Sequence, residues 1–371
     1  MAKRTNGEGT IYRRPDGLWR AEITLGYDAD GKRMKKVIHS KELESLKKKV
    51  NDEKFKLSRN IITQNSDYTI AEWVQFWLEN YKVNTLKPKT YDSYENALNR
   101  FIIPAFGKIK LNKIRPDSIQ QLYNQLHKKG LSSTTIRIVH VTLSQAFDQA
   151  IKNDFIHTNP CKATVRPKSE KKKVLAMTPQ QQDAFVQHCT KSTFHRFFVF
   201  LLNTGLRLGE AQSLTWQDID FNKKIVSVNK TASVIVNRDE DADTKTKTVI
   251  DTAKTAHSMR DVPMNKIVEN ILRAQKSKSL NDVFVFSSSA GTLLSARNIT
   301  RAYKIALEQV GLPDSFTVHS TRHTFATRLL EKNVNPKVVS DLLGHASVQI
   351  TLDVYSHALP SIKSDAVNLL D

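Results

Sequence analysis

The sequence predicts a multidomain chain. A small three-stranded β-sheet with a helix comes first, an all-α domain second, and a mainly-α domain interrupted by a small antiparallel β-sheet third. Three observations carry that expectation. The chain has 371 residues, more than one hydrophobic core usually organises. Short β-branched and aromatic runs set off by Asp-Gly turns crowd into its beginning. Apolar spacings of three and four then dominate, broken by one β-like stretch between KKIVSVNK and SMRDVPM.

In residues 1–60 the strands are GTIYRR, LWRAEITLGY and KRMKKVIHS, with turns at Asp16-Gly17 and Asp30-Gly31. Ser40 is placed to cap the following helix, whose apolar stripe is Leu43, Leu46, Val50 and Leu57. A sheet this rich in cations fits a DNA major groove, and Arg13, Arg14, Arg20, Lys35 and Lys36 are its candidate contacts. A solvated hairpin packing on its own helix is the alternative.

Residues 67–165 read as about four helices. Ile70, Trp73, Val74, Trp77 and Leu78 recur at helical spacing, which assigns the aromatics to a core rather than to a ligand platform. A second helix opens at Lys87-Pro88, with Lys87 and Lys89 as candidate DNA contacts, and closes near Pro104. Pro116 starts the third, and Ser132 or Ser133 caps the fourth. The stretch HTNPCKATVRPKSEKKKVLAMTPQ is an exposed linker. Lys168, Lys171, Lys172 and Lys173 in it can follow a DNA backbone, a plain hinge being the alternative.

From residue 174 a capped helix (TPQQQDAFVQHCT) precedes a strongly apolar one ending at Gly205. The β-like stretch contains a charged loop, NRDEDADTKTKT, and helices return to the end.

The formal net charge is +20, and it is spread: +7 in residues 1–60, +6 in 61–170 and +7 in 171–371. Such a chain suits a polyanion along its whole length. Two distant cysteines, Cys161 and Cys189, exclude a disulfide framework or a zinc cluster and fit a reducing cytoplasm. No run of eighteen apolar residues suggests a membrane span, and MAKRTNGEGT lacks a signal peptide's apolar core.

The residues that carry chemistry are Arg207 in TGLRLGE, Lys254 in AKTAHSMRDVP, His319 and Arg322 in HSTRHTFAT, His345 in LLGHAS and Tyr355 in TLDVYSH. A phosphodiester repels nucleophiles and has a poor alkoxide leaving group. A catalyst without metal therefore needs fixed cations, an acid and an in-line nucleophile. Arginine forks suit two non-bridging oxygens. Lys254 fits the acid for the leaving oxygen, His319 and His345 proton transfer or phosphate holding, and Tyr355 the attack. No cofactor is expected.

These motifs, in this order, resemble the tyrosine recombinases, the phage integrase family, and specifically integrases of temperate phages and conjugative transposons of Gram-positive bacteria. The resemblance implies an arm-type DNA-binding domain (1–60), a SAM-like core-binding domain (67–165) and a catalytic domain (174–371). It implies site-specific recombination of a mobile genome through a 3′-phosphotyrosine at Tyr355, with Arg207, Lys254, His319, Arg322 and His345 activating. Lys245 and Lys247 remain alternatives to Lys254. Implied partners are double-stranded DNA at core and arm sites, three further protomers in a homotetramer, an excisionase and a host DNA-bending protein. Host chromosome-dimer resolution and a catalytically inactive DNA-binding regulator are the competing readings. The tail after Tyr355, with Ala358, Leu359, Ile362, Ala366 and Leu369 as its stripe, packs on either a neighbouring protomer or its own.

Overall fold

The computed structural model describes residues 10–27, 33–58, 68–168, 175–239, 241–252, 259–277 and 283–355. The chain divides into two compact units, Met1–Glu170 and Lys171–Asp371.

The first unit opens with an antiparallel meander of β1 (Thr10–Arg13), β2 (Trp19–Tyr27) and β3 (Arg33–Ser40). Gly17 turns β1 into β2 at φ +83°, a conformation that costs a side-chain-bearing residue more. The turn expected at Asp30-Gly31 lies outside the described residues. Ala21 and Ile23 of β2 are buried against Leu46 and Val50 of α1 (Leu43–Ser58), two of the expected stripe positions. Leu43 is half-buried, and Leu57 has no described side chain.

The helical part begins at α2 (Ile70–Trp77), where Thr69 and Glu72 form a capping box. Trp73 and Trp77 are fully buried, and the Trp73 indole donates to the Ala146 carbonyl at 2.9 Å. They are core, as the spacing predicts. Pro88 is the first residue of α3 (Pro88–Ala97). Helical structure runs through a π-turn at Leu98–Ile102 into α4 (Ile103–Phe106) and closes there, two residues past Pro104, near the end expected from sequence. Pro104 occupies the first turn of α4, where a missing N–H matters little. Then come α5 (Pro116–Lys128) and α6 (Ser133–Lys152), capped by Ser132. One cluster including Trp73, Trp77, Tyr123, Leu143 and Phe147 binds these helices together.

The second unit starts with α7 (Pro179–His188), capped by Thr178 and Gln181, and α8 (His195–Thr204). A short α9 (Leu208–Gln212) follows. The β-like stretch resolves into two sheets rather than one. The strands β4 (Ile219–Asp220), β5 (Ile225–Val228) and β8 (Arg260–Pro263) form the first; β6 (Lys230–Val236) and β7 (Thr246–Thr252) form a separate ribbon. Lys247 belongs to β7 and not to the charged loop, because T-K-T-V-I-D-T alternates with the period of a strand. The remainder is α10 (Lys266–Lys276), α11 (Ala296–Gln309), α12 (Ser320–Glu331), α13 (Pro336–Leu343) and α14 (Val348–Tyr355). Phe197, Phe198 and Phe200 of α8 centre the main core, while Ala326, Leu330, Val339 and Leu343 join α12 to α13. Among the described residues no helix is long and apolar enough to cross a membrane.

The fold class is the expected one: sheet plus helix, all-α, then mainly-α with small antiparallel sheets.

Candidate active site

The site is assembled around the ends of three short helices in the second unit. Helix α8 stops at Gly205, which is left-handed at φ +65°. A Cβ at Gly205 would stand 2.4 Å from Phe325 Cδ1 of α12, so glycine is required by conformation and by space alike. Two residues on, Arg207 caps α9. Its backbone N–H donates to Glu210 Oε2 at 2.9 Å and its Nη1 to Glu210 Oε1 at 2.7 Å. Gly209 gives the ribbon its seat: a Cβ there would meet the Ala232 carbonyl of β6 at 2.3 Å. Each glycine of TGLRLGE thus has its own steric reason.

Helix α12 supplies two more candidates. His319 occupies its cap position, and Arg322 stands one turn later, only 1% exposed. Arg322 Nη1 donates to the Gly205 carbonyl at 2.9 Å and Nη2 to the Leu343 carbonyl at 2.6 Å. The end of α13 collects arginines on successive carbonyls. Leu342 accepts from Arg260 Nε at 2.6 Å, Leu343 from Arg322, and Gly344 from Arg207 Nη2 at 3.4 Å. Carbonyls in a last helical turn lack intrahelical donors and sit at the negative end of the helix dipole, which suits guanidinium groups.

Gly344 reverses the chain at φ +64° and delivers His345 beside those arginines. His345 Nδ1 lies 2.8 Å from Thr351 Oγ1, a fully buried hydroxyl on α14. The same helix ends at Tyr355, which is described by its backbone alone. Lys254 lies outside the described residues, as do Lys171, Lys172 and Lys173. Of the two alternatives, Lys247 pairs with Asp239 at 2.7 Å, and Lys245 precedes β7.

The electrostatics follow from burial and crowding. Burial, then Arg322, Arg207, Arg260 and His319, push the His345 imidazole down to about 4. His323 is also pushed to about 4, by burial and then by His319, Arg322 and His345. His319 is lowered by burial and then by Arg322 and Arg207, against an opposing pull from Glu210. The rings of His319 and His323 meet edge to face at 4.7 Å. All three are consequently neutral near pH 7 without an anion in the cradle. Burial alone would raise the Glu210 carboxyl, but Arg260 and Arg207 hold it below the usual range.

Arg207, His319, Arg322 and His345 are therefore brought together from three separated segments. Glu210, Arg260 and Thr351 belong to the same network and are not in the sequence-derived set. The Arg207-to-Glu210 spacing of a capped helix was a usable signal for the first. The SMRDVPM motif marks Arg260 only as a strand residue, and nothing local marks Thr351.

In the first unit the strand register separates the expected DNA contacts. Arg20 and Lys35 share the face of Glu22, with Arg20 at 2.8 Å and Lys35 at 3.5 Å from its carboxylate. Lys36 is paired with Ile23 on the other face. Arg13 lies 6.0 Å from the Trp19 ring, and Arg14 pairs with Asp16 in the turn at 3.2 Å. Lys87 occupies the cap position of α3, and Lys89 is in its first turn. Arg137 and Arg166 share a cleft with Ser133 and Thr134 beside the start of α6.

Comparison with known proteins agrees with this architecture. Residues 175–361 match the model of the phage integrase family, and residues 69–127 match the phage integrase N-terminal SAM-like domain. An XerC-like tyrosine recombinase of Caldanaerobacter subterraneus is 31% identical over 100% of this chain and 99% of its own length. The transposase of Tn916 from Enterococcus faecalis is 26% identical over 75% of this chain and 72% of its own. Among solved structures, the Tn1549 transposon integrase in complex with a circular intermediate DNA has a TM-score of 0.69 at 22% identity. It covers 82% of this chain and 100% of that one. A lambda integrase tetramer bound to a Holliday junction gives 0.60 at 21%, covering 91% and 95%. The two structural likenesses show the fold, and the sequence matches show the descent: the chain belongs to the phage integrase family of tyrosine recombinases.

Proposed function

We propose that this protein is a site-specific recombinase that cuts and rejoins double-stranded DNA through a 3′-phosphotyrosine at Tyr355, integrating and excising a mobile genome. The observation that carries the reading is the convergence of Arg207 and Arg322 on the end of α13, with His319 beside both arginines and α14 tied to that end through His345 and Thr351.

The scissile phosphate enters between Arg207 and Arg322. Arg207 is the more open of the two, its side chain 39% exposed, and its contact with Gly344 is a long one at 3.4 Å. A phosphate oxygen displaces that contact first. Its negative charge raises the affinity of His319 and His345 for protons, which prepares them to accept the tyrosine proton and to hold the non-bridging oxygens. Lys254 protonates the leaving 5′ oxygen. The tyrosine ester conserves the energy of the broken bond, so rejoining needs neither ATP nor a metal.

Four protomers act on two DNA sites, in the manner of the lambda integrase tetramer bound to a Holliday junction. Three modules divide the work, with 1–60 on arm sites, 67–165 on core sites and 174–371 for catalysis. The basic residues Arg13, Arg14, Arg20, Lys35, Lys36, Lys87, Lys89 and Lys171–Lys173 contact the DNA backbone. An excisionase and a host DNA-bending protein set direction, in the bacterial cytoplasm. The whole-length XerC-like relative favours a second reading, resolution of chromosome dimers.

The test uses a nicked duplex carrying the site that the protein selects from a random duplex pool. Wild type should trap a covalent adduct in EDTA without nucleotide. Tyr355→Phe should bind the duplex and trap none. An adduct surviving that change would remove Tyr355 from its role, and a wild type that binds without adduct would point to an inactive regulator.

A further inference from the structure

We infer that Arg260 is a positioning residue for this phosphoryl transfer, a role that rests on the reading above and extends it to a residue outside the phosphate cradle. Arg260 is the first residue of β8, opposite Val228 of β5, and the neighbouring Val262 is buried in the main core. Its side chain is 6% exposed. Nη2 and Nη1 fork onto Glu210 Oε2 and Oε1 at 2.9 and 3.3 Å, and Nε donates to the Leu342 carbonyl at 2.6 Å. With these donors engaged, Arg260 does not serve as a phosphate ligand. It acts through two others.

The first route runs through Glu210. That carboxylate takes Arg260 on one side and the Arg207 backbone N–H and Nη1 on the other. A carboxylate held from both sides cannot swing, so the Arg207 fork is presented at a fixed angle. The second route runs through Leu342. Arg260 pins the carbonyl two residues before Gly344, the left-handed residue that aims His345 at the site. One guanidinium on a core strand thereby sets two catalytic groups relative to each other. An ordinary buried ion pair would have one partner; this one spans β8, α9 and α13.

Single-turnover cleavage of the nicked duplex tests the role, because amplitude reports the folded fraction while the rate constant reports alignment. Arg260→Met should lower the rate constant about 100-fold, with affinity for the duplex within about threefold of wild type. Arg260→Lys keeps the charge without the fork and should fall between. His345 faces Arg207, Arg260, Arg322 and His319. Losing Arg260 should therefore shift the acid limb of the pH–rate profile upward, which a loss of folded protein would not do. A cycle with Glu210→Gln should be non-additive, the double variant losing less than the product of the two single losses because only the Leu342 route then remains to be lost. A wild-type rate constant in Arg260→Met with an unmoved acid limb, or an additive cycle, would overturn the role of Arg260 while leaving the recombinase reading intact. Failure of wild type itself to form the adduct would overturn both.

Discussion

At the scale of single residues, the site gathers cations around very little negative charge. Arg207 and Arg260 share one acid, Glu210, and all three arginines of the network rest on peptide carbonyls. Burial first, and that surplus second, make the histidines give up protons, which links folding to pH. His345 and His323 are held to about 4, and unfolding returns each to about 6.5. Between those values the unfolded chain binds more protons than the folded one. Stability should be level near pH 7.5 and fall as the solution is acidified toward pH 5. Urea midpoints near those two pH values check it, and His323→Gln should shrink the difference. An unchanged midpoint would mean the rings are not shielded as described. Arg207, His319, Arg322 and His345, which the fold gathers, stand out in the sequence because their motifs are local. Glu210 and Arg260 do not, because their meaning lies in a contact spanning fifty residues.

At the scale of elements, two features bear on how α14 is held. The end of α13 receives the arginines, and the hydrogen bond between His345 and Thr351 ties that end to α14. Thr351→Val keeps the shape and removes the hydroxyl. It should leave DNA affinity unchanged and slow single-turnover cleavage about tenfold, the worth of roughly one hydrogen bond. Equal rates would show that α14 is placed by packing alone. Two helix starts were legible in the sequence from their caps: Ser132 and Thr178 accept from the helices they precede. Pro104 marks a helix end to within two residues, the segment closing at Phe106. Conflicting signals are harder to read. TKTKT looked like a loop from its charge, while its alternation belonged to a strand.

At the scale of the whole molecule, the surplus of +20 is distributed over the N-terminal sheet and its helix, the helical domain and the second unit rather than gathered in a tail. Affinity built on many phosphate contacts should collapse with salt. Binding of the full chain to its selected duplex should weaken by about 10³ or more between roughly 50 and 200 mM salt. Fluorescence anisotropy across that range measures the slope, and a flat line would mean that the basic residues are ornamental to binding. The carbonyls of Leu342, Leu343 and Gly344 set a different kind of constraint on descent. Guanidinium groups that grip main chain are indifferent to which side chains hang from it, so the exposed positions of α13 can vary while Leu343 keeps its core place and Gly344 its left-handed turn. Adding or deleting a single residue upstream in that helix is another matter. It would swing every acceptor by about 100° at once, and lineages should vary this helix in spelling while never changing its count of letters.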